Sequence, residues 1–285
     1  MKNWQEIIHH TTFRYIDSTK ETTFHHKKND AFTSFAIDDA LATSISNGES
    51  PPAMRLWVHP KTVVLGIPDG RIPYLEDGVQ HISSAGYHSM IRNSGGLAVV
   101  LDEGVLNISL ILSDMKHLSI HDCYEAMVQF IEYMLRDLTN DIKAYEIVGS
   151  YCPGDYDLSI DGKKFAGISQ RRIKDSAAIQ IYLDVNGDSH ARAQLVRGFY
   201  DVGIKGEETK FTYPTVDPQV MDSLSNLLGH KLTVADMKNR AKQALAHFAT
   251  ELVTPPFSDR EYETFEKRYT QLLKRNERIA QLRVE

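Results

Sequence analysis

Residues 156–168 read Tyr156-Asp157-Leu158-Ser159-Ile160-Asp161-Gly162-Lys163-Lys164-Phe165-Ala166-Gly167-Ile168. Two short runs flank Asp161-Gly162, a dipeptide that tolerates the positive φ angles of a tight hairpin turn. The stretch predicts an antiparallel strand pair. Just upstream stands Gly149-Ser150-Tyr151-Cys152-Pro153-Gly154-Asp155, which places a thiol on a Pro-Gly turn. A free thiol has a pKa of about 8.5 and becomes a strong nucleophile when a neighbouring cation favours the thiolate. Cys152 and Lys164, converging across the hairpin, would form an acyl-transfer pair needing no cofactor.

Outward from this hairpin, Leu97-Ala98-Val99-Val100-Leu101 and Leu106-Asn107-Ile108-Ser109-Leu110-Ile111-Leu112 predict a second hairpin around Asp102-Glu103-Gly104. Met54-Arg55-Leu56-Trp57-Val58 and Thr62-Val63-Val64-Leu65-Gly66 are strand-like and β-branched, with His59-Pro60 turning between them. Residues 177–183 predict one more strand. Helices are expected over 36–42, ended by Asn47-Gly48 and Pro51-Pro52, and through Cys123, Met127, Phe130, Ile131, Met134 and Leu138 at helical spacing. Beyond Gly206 the spacing predicts amphipathic helices over 218–228 and 233–248. After Pro255-Pro256, Ser258-Asp259-Arg260-Glu261 opens a charged helix through Leu282, with Tyr262, Phe265, Tyr269, Leu272 and Leu273 on one stripe.

Hairpins interleaved with helices predict an α+β fold: a largely antiparallel or mixed β-sheet with flanking helices, plus C-terminal helices. The expected organisation is an N-terminal segment, 1–35, packed on a catalytic domain over 36–250, followed by a helical extension over 251–285.

Composition narrows the function classes. The chain has 285 residues, 42% hydrophobic and 25% charged, with a formal net charge of −6 and no dominant basic block, so nucleic acid is not an expected partner. Residues 1–10 lack an apolar signal core, and no run approaches the roughly 18 apolar residues of a membrane helix, so no membrane partner is expected. Two cysteines fit a reducing compartment and a cytoplasmic protein. Twelve histidines show no metal-ligand spacing, and no Walker, Gly-x-Gly-x-x-Gly or Gly-x-Ser-x-Gly pattern occurs. Cys123 sits on an apolar stripe and reads as core. On these residues alone, Cys152 is either a nucleophile or an incidental loop cysteine.

Two further segments bear on a site. Arg92-Asn93-Ser94-Gly95-Gly96 precedes a strand; its paired glycines either let a substrate approach backbone amides or simply make a tight turn. Arg171, Arg172 and Lys174 follow the hairpin and form either a solvated face or a positive rim that steers an acidic partner.

The Arg-x-Ser-Gly-Gly segment, residues 102–107, and Asp161-Gly162-Lys163-Lys164-Phe165-Ala166-Gly167 resemble, in this order, the signatures of the biotin/lipoate protein ligase catalytic-domain superfamily. The resemblance covers roughly residues 36–248. Within it, the pattern resembles the octanoyl amidotransferases of Gram-positive bacteria, which move octanoyl from the glycine cleavage H protein to lipoyl domains of 2-oxoacid dehydrogenase acyltransferase subunits. The resemblance implies a catalytic Cys152 with Lys164 lowering its pKa, and substrate contacts at Arg92, Ser94, Gly95, Gly96, Asn107 and Gly167. Octanoyl itself would need a narrow apolar tunnel, and Val99, Leu101, Ile108 and Ile168 are either its lining or ordinary core.

ATP-dependent lipoate ligases usually carry a third glycine and a histidine where this chain has Leu97 and Leu101. A transferase using acyl carrier protein, a ligase, and a non-catalytic binder of lipoyl domains are the alternatives. Moving an acyl group between two lysine amides is nearly isoergonic, so a cysteine relay needs no ATP.

Overall fold

The computed structural model describes residues 4–282. Residues 1–3 and 283–285, the ends of the two terminal segments named above and part of the 1–10 stretch, lie outside the described residues.

The Asp161-Gly162 turn forms as its dipeptide dictates, with φ of 52° and 74°. It joins Leu158–Ile160 to Lys163–Ile173 in antiparallel register. This hairpin is one side of an eight-stranded sheet ordered Ala249–Val253, His10–Ser18, Ala53–Trp57, Val105–Leu112, Ser176–Asp184, Lys163–Ile173, Leu158–Ile160 and Lys143–Ala144. The first two pairings are parallel and the remainder antiparallel, so the sheet is mixed. Residues 10–18 and 249–253 are thus built into the same sheet as the central segment.

The sheet is covered on both faces. Leu106, Ile108, Leu110 and Leu112 of its central strand pack with the helices Ile120–Leu135 and Val234–Phe248. Val105 and Ile111 point to the other face, toward the helix Ala31–Ser46. That helix is buried nearly all round, because Asp259–Arg275 lies over its outer side. Side-chain caps start these elements: Asp30 accepts from Thr33 N–H, and Ser119, Thr233 and Ser258 each form a capping box. Among the described residues, no helix is long and apolar enough to cross a membrane.

Two expected hairpins are not hairpins. Thr62–Leu65 does not pair with Ala53–Trp57, and Val99–Leu101 does not pair with Val105–Leu112. Thr62–Leu65 and Val99–Leu101 instead pair with each other, and Thr62–Leu65 also with His88–Ile91, in a separate three-stranded sheet. The turns are where the sequence puts them, but each carries the chain from one sheet to the other. Residues 218–228 also depart from expectation. They form a single 3-10 turn, Pro218–Val220, and a one-turn helix, Leu224–Leu227. Two of their backbone donors go elsewhere: Asp222 N–H to Lys164 O at 3.1 Å and Ser225 N–H to Val185 O at 3.0 Å. The helices Leu75–Ser84 and Ser189–Ile204 and the edge strand Ala249–Val253 were not anticipated.

Candidate functional site

The loop before the hairpin is organised by one buried carboxylate. Asp157 Oδ2 accepts from Ile147 N–H at 3.3 Å, Gly154 N–H at 3.2 Å and the Ser150 hydroxyl at 3.4 Å. Its Oδ1 pairs with Lys164 Nζ at 2.8 Å. Burial pushes the Asp157 carboxyl up, against the pull of Lys164. Lys164 is fully buried, and its ammonium also donates to Ser150 Oγ at 3.2 Å and to the carbonyls of Tyr151 and Cys152, each at 2.9 Å. Cys152 itself has a φ of 46°, the left-handed region, which turns its side chain off the loop.

A second loop, residues 92–98, arrives from the small sheet and meets the sulfur. Leu97 N–H donates to Cys152 Sγ at 3.1 Å, and Arg92 Nη2 lies 3.6 Å from the same atom while donating to Leu97 O at 3.0 Å. The cation against the thiol is therefore the Arg92 guanidinium, and Lys164 grips the main chain behind it. Gly96, at φ 94°, allows this approach: a Cβ there would lie 2.3 Å from Arg92 Nη2 and 2.9 Å from Cys152 Sγ. Ser94 is buried, and among the described residues its hydroxyl has no hydrogen-bond partner.

Cys152 opens on a cavity of about 240 Å³. Its lining runs from exposed His121 and Asp155, past Tyr124 and Tyr156, to the buried side chains of Trp57, Val64, Val99 and Leu101. Arg92, Gly95, Gly96, Asn107, Gly167 and Ile168 also line it; Ser94 does not. Ile108 does not line it either. It lies on the opposite face of its strand among Met127, Phe130 and Ile131, because neighbouring residues of a strand point to opposite faces.

Beneath the floor lies a polar network that sequence reading missed. Asp38 Oδ2 accepts from Ser109 Oγ and Gln180 Nε2, both at 2.6 Å, and its Oδ1 pairs with Arg55 at 2.7 Å. Asn107 donates to Trp57 O at 3.3 Å. The signal available was the pair of polar residues, Asn107 and Ser109, facing inward from an otherwise apolar strand.

Arg171 and Arg172 of the basic cluster are tied to neighbouring segments, while Lys174 is exposed. Arg171 pairs with Asp39 and donates to Asn93 O at 3.1 Å, bracing the base of the 92–98 loop. Arg172 donates to the carbonyls of Met115 and Leu118, and Lys174 bonds Asn47 Oδ1 at 2.9 Å. Cys123 is buried, and that burial pushes its thiol up.

Comparison with known proteins places this geometry. Octanoyl-[GcvH]:protein N-octanoyltransferase of Oceanobacillus iheyensis is 62% identical over 97% of this chain and 99% of its own length. Lipoyl-[GcvH]:protein N-lipoyltransferase of Listeria monocytogenes is 42% identical over 96% of this chain and 97% of its own. The putative lipoate protein ligase Ta0514 of T. acidophilum, solved with bound lipoic acid, shares the fold at a TM-score of 0.66 and 15% identity, covering 91% of this chain and 95% of that one. Residues 30–246, which carry both loops, the hairpin and the cavity, match the model of the lipoyl protein ligase A/B catalytic domain, and the chain belongs to that family.

Proposed function

We propose that this protein is an N-octanoyltransferase of lipoate assembly, acting through a thioester on Cys152. It takes octanoyl from an octanoyl-lysine of the glycine cleavage H protein and passes it to the lipoyl-domain lysine of 2-oxoacid dehydrogenase acyltransferase subunits. The observation that carries the reading is the placement of Cys152 Sγ, which faces the Leu97 amide and the Arg92 guanidinium at the wall of an apolar cavity. The names of the relatives support the donor and the acyl group.

In the first half-reaction the thiolate adds to the carbonyl of the octanoyl-lysine amide. The C–N bond then breaks as the departing amine takes up a proton, leaving an S–acyl bond. In the second, the acceptor lysine amine attacks the thioester, loses a proton, and Cys152 leaves as thiolate. Splitting the exchange lets two carrier proteins visit one site in turn. Lys164 and Asp157 contribute by holding the backbone of the cysteine loop; Arg92, Gly95, Gly96, Asn107 and Gly167 shape the space around the acyl group. Two free cysteines fit a cytoplasmic setting. The relative named for lipoyl transfer favours lipoyl as a second acyl group.

Intact-mass measurement after incubation with octanoylated H protein tests the proposal. The wild type and Cys123→Ala should each gain one octanoyl group, released on adding a lipoyl domain, and Cys152→Ala should gain none. Transfer by Cys152→Ala at the wild-type rate would overturn it.

A further inference from the structure

The Leu97–Ala98 segment that presents its N–H to Cys152 is itself held from behind. The next amide, Ala98 N–H, donates to the Tyr200 hydroxyl oxygen at 3.4 Å. Tyr200 donates its own proton to Asp69 Oδ1 at 2.9 Å, and Asp69 Oδ2 accepts from Gly66 N–H at 2.7 Å. Asp69 and Ala98 are fully buried and Tyr200 nearly so. Gly66 in turn presses on the same loop, since a Cβ there would fall 1.9 Å from Gly96 O. The loop is thus fixed on one side by a backbone contact and on the other by the phenol.

Asp69 decides which way that phenol points. A hydroxyl that gives its proton to a carboxylate keeps its lone pairs for an approaching N–H. Without the carboxylate it is free to rotate its proton toward Ala98 N–H and repel it. Neither Tyr200 nor Asp69 lines the cavity. They come from the helix Ser189–Ile204 and the turn Asp69–Arg71, outside every sequence signature. Asp69 is electrostatically coupled to the site: burial lifts its carboxyl to about 6 while Arg92 opposes the rise.

We propose that Tyr200 and Asp69 are positioning residues for the Cys152 thiolate, holding residues 97–98 so that the Leu97 N–H stays aimed at the sulfur. This rests on the reading of Cys152 as the nucleophile.

The test is Tyr200→Phe, which keeps the ring and removes the hydroxyl. The pH profile of Cys152 alkylation by iodoacetamide, followed by intact mass, should move to higher pH than in the wild type as the sulfur loses its aligned N–H donor. Octanoyl transfer should lose about ten- to a hundredfold in kcat, as for a displaced catalytic group, with KM for the carrier protein unchanged. A merely structural tyrosine would lower thermal stability and leave that profile in place. Asp69→Asn, with the hydroxyl present but its acceptor neutral, should move the profile the same way by less, and it replaces Tyr200→Phe should that variant not fold. An unmoved profile in either folded variant overturns the proposal. If the profile moves but wild-type protein gains no octanoyl group, the function assigned to the site fails while the positioning role stands.

Discussion

Lys164 Nζ donates to the carbonyl oxygen of Cys152 at 2.9 Å, whereas the groups hydrogen-bonded to the Cys152 sulfur are the Leu97 amide and the Arg92 guanidinium. The buried ammonium therefore shapes the loop of the proposed nucleophile, and the cation at its thiol comes from another sheet. The two roles separate experimentally.

Lys164→Met leaves the Asp157 carboxylate buried without its partner. Breaking a buried pair in this way typically costs about 3–5 kcal/mol. Urea denaturation should show a loss of that order, and Cys152 alkylation should stay slow even at alkaline pH, because the loop is displaced. Lys164→Met with Asp157→Leu should recover neither the stability nor the transfer, because Asp157 also accepts from Ile147 N–H, Gly154 N–H and the Ser150 hydroxyl. A single variant as stable as wild type, with alkylation restored by raising pH, would show that Lys164 acts on the thiol alone.

The two glycines of the 92–98 loop should behave differently. Gly96→Ala puts a methyl 2.3 Å from Arg92 Nη2 and 2.9 Å from Cys152 Sγ at a backbone φ of 94°. Strain of this kind costs on the order of 1–3 kcal/mol, and both octanoyl transfer and Cys152 alkylation at neutral pH should collapse. Gly95 has open space around a built Cβ, so Gly95→Ala should stay within about 0.5 kcal/mol of wild type by thermal melting. Equal stability of the two variants would contradict the close approach of Gly96 to Arg92 and Cys152.

The cavity wall and the core behind it can be told apart by acyl-chain preference. Leu101 lines the cavity and Ile108 lies on the far face of the sheet. Leu101→Phe should slow octanoyl transfer far more than butanoyl transfer, measured with small thioesters. Ile108→Ala should cost about 2–5 kcal/mol as a core deletion and leave the ratio of the two acyl groups unchanged. A shifted ratio in Ile108→Ala alone would place the acyl chain on the wrong face.

His59 makes folding sensitive to acid. It is fully buried against Ser34 Oγ at 2.9 Å, and burial, with help from Arg55, pushes its pKa down to about 3 from an ordinary 6.5. Between those values the unfolded chain binds a proton that the folded chain refuses. The contribution of His59 is therefore fully present above pH 6.5 and is lost as pH falls toward 3, at about 1.4 kcal/mol per unit. Asp69 and Asp184, pushed up to about 6 by burial, tilt the profile the other way in any variant that retains them. The difference between wild type and His59→Gln in urea unfolding at about pH 7 and about pH 5 isolates the histidine. A difference that does not change with pH would mean that His59 takes up its proton in the fold at the same pH as in the unfolded chain.

Much of the local structure was legible before any tertiary contact was known. Asp161-Gly162 specifies its hairpin because both residues accept positive φ, and Ser258 and Thr233 mark helix starts because each meets an acidic residue three places on. Cys152-Pro153-Gly154 likewise announced a thiol outside the apolar stripes, although the hydrogen-bonded turn falls just after it, from Gly154 to Asp157. These are interactions between near neighbours in the chain, which residue type alone can settle.

Pairing between distant segments was decided by the tertiary structure. Val99–Leu101 and Val105–Leu112 look like one hairpin, yet they belong to different sheets, because strand propensity says nothing about which partner offers the better buried surface. The strands buried on both faces carry no clean alternation, so the sequence could not say that Ile108 faces away from the cavity that Leu101 and Ile168 line. The helix expected over 218–228 gave way because amides inside it, those of Asp222 and Ser225, pair with the carbonyls of Lys164 and Val185. The same limit applies at the thiol. Arg92 and Leu97 reach Cys152 only because the small sheet delivers residues 92–98 onto the loop that Asp157 and Lys164 hold in place, a juxtaposition that no spacing within either segment encodes.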